Sequence, residues 1–476
     1  MIITSINFVL FTALALGVYY LLPRRNQNYW LLLLSYAFIV SWAWQFALVL
    51  GMVTAVNFVL AQKLVVNHQK QLGVLWLGIG FNVFVLVLFR VANFFLPELG
   101  NLLGRFGVST QAGGLQILIP LGLSYYVLQN ISYLVDVSRG QVKAETDWVN
   151  FALYLAYFPK LIAGPIERAR TFLPKLAHPR VVDNQVLARS CVLIFMGAVR
   201  KLLIADILMP LILTDVFQIP AKYTPPELIG WLLIYAFALY NDFAGYTNIV
   251  RGVSGLFGIE LSPNFQTPYF SRNFAEFWKR WHISLSEWLR DYIFFPITRM
   301  MLRRFPNRRH LANLILPPLV TMLVSGLWHG FGMHMLLWGG LHALYQIFER
   351  ILTFWRPTVP AQYQPVWRQG LAMIVVFTLV ILAWVPFRWE LPVAYDFWGA
   401  LLNGSSFAIR YRRLFFVVPV LLAALSIDIL QYRSQDEFVF LKWPRPVQAA
   451  SMALILLLIF ILTGGDFRQP FVYQAF

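Results

Sequence analysis

Leu311-Ala-Asn-Leu-Ile-Leu-Pro-Pro-Leu-Val-Thr-Met-Leu-Val-Ser-Gly-Leu-Trp-His-Gly330 opens a run that reaches Phe348 without a single Asp, Glu, Lys or Arg. Such a stretch belongs in a bilayer, because about 20 apolar residues in a helix span the hydrocarbon core. Near its middle sits the pair Trp328-His329. Ionisable side chains at membrane depth are costly and mark a pathway or a reaction site, which makes His329 the first catalytic candidate. The competing reading is a neutral histidine that only hydrogen-bonds between helices. Gly326 and Gly330 flank the pair and are expected to leave room beside the ring, which favours a reaction site.

A second Trp-His pair, Trp281-His282, precedes this run in Ser271-Arg-Asn-Phe-Ala-Glu-Phe-Trp-Lys-Arg-Trp-His-Ile-Ser-Leu-Ser-Glu-Trp-Leu-Arg-Asp-Tyr292. Phe274, Phe277, Trp278, Trp281, Leu285, Trp288 and Leu289 recur at helical spacing, so the stretch reads as one amphipathic helix. His282 then shares its apolar face, while Lys279, Arg280 and Arg290 serve the wet one.

Composition supports the membrane reading. The 476 residues are 59% hydrophobic and only 12% charged, whereas a soluble domain carries about 25% charge. Apolar segments near Ile6–Leu22, Trp30–Leu50, Val74–Leu88, Leu228–Asn241, Gly370–Phe387, Leu414–Ile427 and Val447–Thr463 predict an all-α polytopic membrane protein. Several are short, so tilted or re-entrant helices are expected among the spans. The net charge of +17 forms no nucleic-acid-binding pattern. It falls in loops such as Arg24-Arg25 and Arg299–Arg309, as cytoplasmic loops do. The single cysteine, Cys191, excludes an internal disulfide and reads as a small core residue of an apolar helix.

At the two Trp-His pairs the chain resembles the membrane-bound O-acyltransferases, in the bacterial branch that includes alginate O-acetylation and teichoic-acid D-alanylation proteins. The matching pieces are Phe158-Pro-Lys-Leu-Ile-Ala-Gly-Pro-Ile-Glu-Arg168, Asp242-Phe-Ala-Gly-Tyr246, Phe277-Trp-Lys-Arg-Trp-His-Ile-Ser-Leu-Ser286 and Leu327-Trp-His-Gly330. The resemblance implies a single membrane domain over residues 1–476, with a ring of transmembrane helices around a central catalytic tunnel. It implies His329 and His282 as the catalytic pair, with Trp278, Trp281, Trp328, Ser325 and Gly326 lining the tunnel. No metal and no bound cofactor are expected; the donor would be acetyl-CoA or another acyl thioester. The basic stretch Arg299–Arg309 departs from the shorter glycine-containing loop of alginate-type members, so the resemblance does not assign alginate as the acceptor.

The remaining segments refine the expectation. Asn26–Gln62 is uncharged and long enough for two passes with a turn near Gly51. Pro120 and Gly122 break an apolar stretch that is read as a wall of the chamber or a helix kink. Tyr154–Arg180, with Pro159, Gly164, Pro165, Pro174 and Pro179 and five basic residues, reads as an irregular cytoplasmic or re-entrant segment. Its cations suit the phosphates of a thioester donor or form a solvated positive-inside loop. Asp242 ends an apolar run and is expected to pair with Arg251 or Arg272 as a structural residue. His334 and His342 read as helix-packing residues. Residues 466–476 form an extracytoplasmic tail ending Phe471-Val-Tyr-Gln-Ala-Phe476, similar to the ending of this family and of its small D-alanylation partner; Tyr473 is the candidate acyl relay, against the reading of an interfacial anchor.

The expected activity is transfer of an acyl group, acetyl first, from a cytoplasmic thioester to a hydroxyl serving cell-surface polysaccharide modification. His329 acts as general base, and His282 orients the acyl group, binds the carbonyl or tunes His329. Alternatives are D-alanyl transfer from a carrier protein, a proton-coupled transporter or flippase, and a noncatalytic scaffold. Expected partners are the donor thioester, the bilayer and an extracytoplasmic esterase-like acyltransferase. The expected location is the bacterial inner membrane, with both termini outside the cytoplasm.

Overall fold

The computed structural model describes residues 2–66, 71–105, 117–180, 182–307, 310–355, 364–404, 406–411 and 413–463. The protein is an all-α polytopic membrane protein, with no strand among the described residues. Among the described residues, six helices are long and apolar enough to cross a membrane. The chain divides into two compact units: Met1–Asp183 with Val253–Leu261, and Asn184–Gly252 with Ser262–Phe476.

The first unit holds α1 (Ile6–Leu21), α2 (Arg24–Val40), α3 (Trp44–Val66), α4 (Gln71–Arg105), α5 (Leu123–Ser138), α6 (Trp148–Ala156), α7 (Phe158–Leu161) and α8 (Ala169–Ala177). The turn between α2 and α3 falls at residues 41–43, and Gly51 lies inside α3. The expected turn there was misplaced because a helical glycine among apolar neighbours costs only about 1 kcal/mol, too little to stop a helix that lipid and neighbours support. Two buried asparagines, Asn57 of α3 and Asn82 of α4, exchange amide hydrogen bonds at 2.7 and 3.2 Å. Each satisfies in the other what hydrocarbon would leave unmet. Gly122 does break the chain before α5: it takes a φ of +73°, and a side chain there would overlap the Leu161 carbonyl.

The segment around α7 is irregular, as its prolines and glycines predict, yet it is not a solvated loop. Residues 151–169 are buried throughout. Lys160 is 2% exposed and donates to Gln129 Oε1 at 3.1 Å; Tyr154 donates to the Glu167 carbonyl at 3.1 Å. Burial pulls the Lys160 ammonium down to about 7, opposed by the charge of Glu167.

The second unit begins with α9 (Asn184–Ala198), which passes into a π-helical turn, Val199–Ala205. It continues with α10 (Pro225–Leu256), α11 (Phe274–Arg280), α12 (Ile283–Leu289), α13 (Phe295–Arg304), α14 (Leu311–His329), α15 (Met333–Trp355), α16 (Val366–Arg388), α17 (Leu391–Asn403), α18 (Val418–Ser434) and α19 (Arg445–Thr463), joined by shorter turns. The membrane window of α10 is 83% buried and that of α19 only 6%. So α10 is a core element, while Leu454, Leu457, Phe460 and Ile461 of α19 present an apolar surface suited to lipid. Asp242 therefore lies within a continuous helix rather than at the end of one. Cys191 is exposed on α9 rather than in the core; Leu187, Ala188, Ile194 and Phe195, one turn away on either side, are apolar, which hid the outward face from a sequence reading.

The antiparallel pair α14 and α15 fixes the centre of this unit. A side chain on Gly326 would overlap the Met335 carbonyl oxygen, and one on Gly339 would overlap that of Met322. The space beside Gly326 is thus filled by the neighbouring backbone, and the two glycines are where the helices touch. Pro317 in α14 has no N–H for the carbonyl of Asn313, and Arg350 of α15 donates to that freed oxygen at 3.1 Å. Gly326→Val should therefore lower the thermal unfolding midpoint of the purified protein in lipid nanodiscs, with a cost of about 1–3 kcal/mol or more. Gly340 on α15 has nothing within 4 Å of where a Cβ would stand, so Gly340→Ala should be neutral or slightly stabilising; equal midpoints for the two variants would contradict this packing.

Candidate active site

The stretch Ser271–Tyr292 is not one helix. It forms α11 and α12, and His282 stands between them with φ 42° and ψ 55°. The left-handed region costs a residue with a Cβ about 1–2 kcal/mol, and hydrogen bonds on both sides of the break offset it. Asn264 accepts the Ile283 N–H on its carbonyl at 2.9 Å, and its side-chain oxygen accepts the Ser284 N–H at 3.2 Å and hydroxyl at 2.7 Å. On the other side the Gln266 N–H donates to the Arg280 carbonyl at 3.0 Å. Residues 264–266 therefore clamp the break, and helical periodicity in the sequence cannot register such a partner.

The break turns His282 inward. The residue is 2% exposed, with its ring 4.8 Å from that of Phe243 and 6.3 Å from that of Trp328. It lies outside the six candidate spans, and burial holds its imidazole well below the usual histidine range. The ring there is therefore neutral and does not carry charge.

His329 is the last residue of α14, where the Gly330 N–H returns to the Gly326 carbonyl at 3.0 Å. Its ring meets Trp328, Trp338 and Phe387 edge-on, with centroids at 4.7, 5.2 and 5.1 Å. It is only partly buried. The two Trp-His pairs, 47 positions apart in the chain, thus meet on one indole, since Trp328 lies against both imidazoles.

The other expected lining residues divide. Trp278 joins the same aromatic group, 6.0 Å from Trp338 and 5.0 Å from His342. Trp281 packs against Phe265, Phe277 and Trp384 at 5.0, 5.7 and 4.8 Å, so its ring is held in the hydrophobic core. Ser325 is fully buried one turn before His329, and its hydroxyl has no partner. Gly326 lies at the α14–α15 contact. Tyr473 and the tail 466–476 fall outside the described residues.

Two features were missed in the sequence. Trp338 touches His329, His342 and Trp278, and Trp384 and Phe387 of α16 close the same group. The spacing of Trp338 from Met335 and His342 on α15 was a signal, but an aromatic at helical spacing is more often plain core. The second feature is the π-helical turn 199–205, which directs two consecutive cations inward. Lys201 pairs with Asp242 at 2.7 Å and Asp206 at 2.6 Å, and Arg200 with Asp428 at 2.5 Å. Asp242 is thus in a salt bridge, but with Lys201 rather than with Arg251 or Arg272. Arg251 pairs with Glu437 and Arg272 with Glu276. An extra residue in the helical turn changes which side chains face α10, and this cannot be read from a 3.6-residue period.

Breaking one end of such a buried network leaves charge uncompensated, at about 3–5 kcal/mol. Lys201→Met should accordingly depress the unfolding midpoint strongly, and adding Asp242→Asn should recover part of the loss. A double variant no better than the single would show that Asp242 is held by other groups.

The family model for MBOAT, the membrane-bound O-acyltransferase family, matches residues 63–385. The probable alginate O-acetylase AlgI of Azotobacter vinelandii is 36% identical over 84% of this chain and 77% of its own length. The peptidoglycan O-acetyltransferase of Helicobacter pylori is 29% identical over 78% of this chain and 73% of its own. The teichoic acid D-alanyltransferase of Streptococcus thermophilus is 28% identical over 59% and 71%. Transporter and scaffold readings give way to an enzyme: the chain belongs to the membrane-bound O-acyltransferase family and is an acyltransferase.

Proposed function

We propose that the protein transfers an acetyl group from a cytoplasmic thioester, acetyl-CoA or another acyl thioester, to a hydroxyl that serves modification of a cell-surface polysaccharide. The observation that carries this reading is the meeting of His282 and His329 on the Trp328 ring within a buried aromatic group. The names of the relatives, acetylases of alginate and of peptidoglycan, favour acetyl and a polysaccharide route over D-alanyl transfer, whose named relatives match less of the chain.

A thioester is already activated, so the enzyme's tasks are to take a proton from the acceptor hydroxyl and to stabilise the oxyanion that forms. His329 takes the proton. The hydroxyl oxygen adds to the carbonyl carbon, and collapse of the tetrahedral species expels the thiolate, which receives the proton from His329. His282, neutral and clamped, orients the acyl group, binds the carbonyl or tunes His329. Trp278 and Trp328 keep the site dry.

Tyr473 serves as the relay on this reading: its hydroxyl accepts the acetyl group and passes it to an esterase-like acyltransferase outside the cytoplasm. The protein then sits in the bacterial inner membrane with both termini on the outer side. Arg24-Arg25, directly after α1, supports that orientation through the positive-inside rule.

Membranes bearing the protein should move label from [1-14C]acetyl-CoA into surface polysaccharide. His329→Ala should lower that transfer by about 10²- to 10⁴-fold while leaving the protein in the membrane, and His282→Ala should be milder. Transfer by His329→Ala at the wild-type rate would remove the mechanism. Tyr473→Phe should stop delivery to the polysaccharide; unaffected delivery would eliminate the relay alone.

A further inference from the structure

His342, thirteen residues after His329, lies on α15 and is 0% exposed. Its ring is enclosed by Phe277, Trp278, Trp338, Tyr345 and Trp384, with centroids 5.0 to 6.3 Å away. None of these presents a hydrogen-bond partner to it, and both imidazole nitrogens are buried and unpartnered. An unmet buried polar atom costs about 1–3 kcal/mol, so a residue serving packing alone would be better replaced there by Phe or Leu.

The surroundings say what kind of group the ring awaits. The indole N–H groups of Trp278 and Trp338, whose rings lie with centroids 5.0 and 5.1 Å from that of His342, are also buried without a partner. Two of these three side chains are donors only, and a neutral imidazole supplies a third N–H. A group of donors in a dry enclosure suits an acceptor on which negative charge develops. Its position suits the same task. Trp338 lies 5.2 Å from His329 and 5.1 Å from His342, so the two imidazoles are no farther apart than about twice that distance. A base, an attacking hydroxyl, a carbonyl and a donor, joined by two hydrogen bonds of about 2.8 Å, span a comparable length.

We infer that His342 is a catalytic residue of the acyl transfer: its N–H, with those of Trp278 and Trp338, receives the acyl carbonyl oxygen while His329 deprotonates the acceptor. This rests on the proposed function and narrows it, assigning the carbonyl to the α15 side and leaving His282, on the Trp328 side, to tune His329. As the hydroxyl oxygen bonds to the carbonyl carbon, the π electrons move onto the oxygen held by these donors. They return when the carbon–sulfur bond breaks, and the proton passes from His329 to sulfur.

The test compares His342→Gln, which keeps a side-chain N–H donor, with His342→Met, which keeps volume and loses it. Purified protein in nanodiscs is assayed for thiol release from acetyl-CoA. Removing one such donor costs about 10²–10³ in kcat, so Met should lose that much with little change in KM, and Gln should recover most of it. Met within about tenfold of wild type, or Gln as poor as Met, overturns the assignment. The infrared carbonyl band of bound [1-13C]acetyl-CoA in the wild-type protein decides independently of how either variant folds: it should lie below its position in buffer, and an unshifted band overturns the assignment. A wild-type protein that releases no thiol from acetyl-CoA overturns the donor and with it the proposed function, whereas active wild type with fully active His342→Met removes His342 alone.

Discussion

The approach of α14 to α15 at Gly326 and Gly339 is the constraint on which the site depends. Backbone meets backbone there, since either glycine's Cβ would strike the opposite carbonyl. His329 ends one of these helices, and Trp338 and His342 lie on the other within a turn of the contact. Helix association in lipid lacks a hydrophobic driving force and relies on close packing and hydrogen bonds. The pair has both, because Arg350 takes the carbonyl that Pro317 frees. A proline that would weaken an isolated helix here supplies an acceptor joining two.

A second constraint is the treatment of polar groups that cannot reach water. Around Arg200 they are satisfied: Arg200 is held by Asp428, Asn241 and Gln431, and Tyr240 donates to the same aspartate at 3.1 Å. The aromatic group between α11, α14 and α15 does the reverse. There Ser325, Trp278, Trp338 and His342 keep buried polar atoms without partners.

The sequence made the spans legible because bilayer thickness imposes a length and a composition. α16 and α19 begin and end within a few residues of the apolar segments that predict them. His329 was legible for the same reason, an ionisable group where none is cheap. What was not legible depends on partners distant in the chain. The His282 break needs Asn264 and Gln266, and the Lys201–Asp242 pair needs a π turn on a helix forty residues away. The meaning of Gly326 changes once Met335 is known to stand against it. Each case is set by a tertiary contact that overrides a local period.

The placement of His282 shows why such an override is worth keeping. A regular helix through Ser271–Tyr292 would leave the imidazole on the same stripe as Trp278 and Leu285, at an orientation fixed by helical geometry alone. The left-handed residue instead re-aims the ring between Phe243 and Trp328, and the cost of the strained backbone is met by hydrogen bonds from a segment outside the helix. Strain of this size persists only where surrounding structure over-determines it. Asn264 does so from both its backbone and its side chain, so the direction of His282 is set by a rigid strap and not by the rotamer preference of a helix. An imidazole that must face Trp328 without titrating gains from that rigidity, because an orientation held in advance need not be imposed by a later contact.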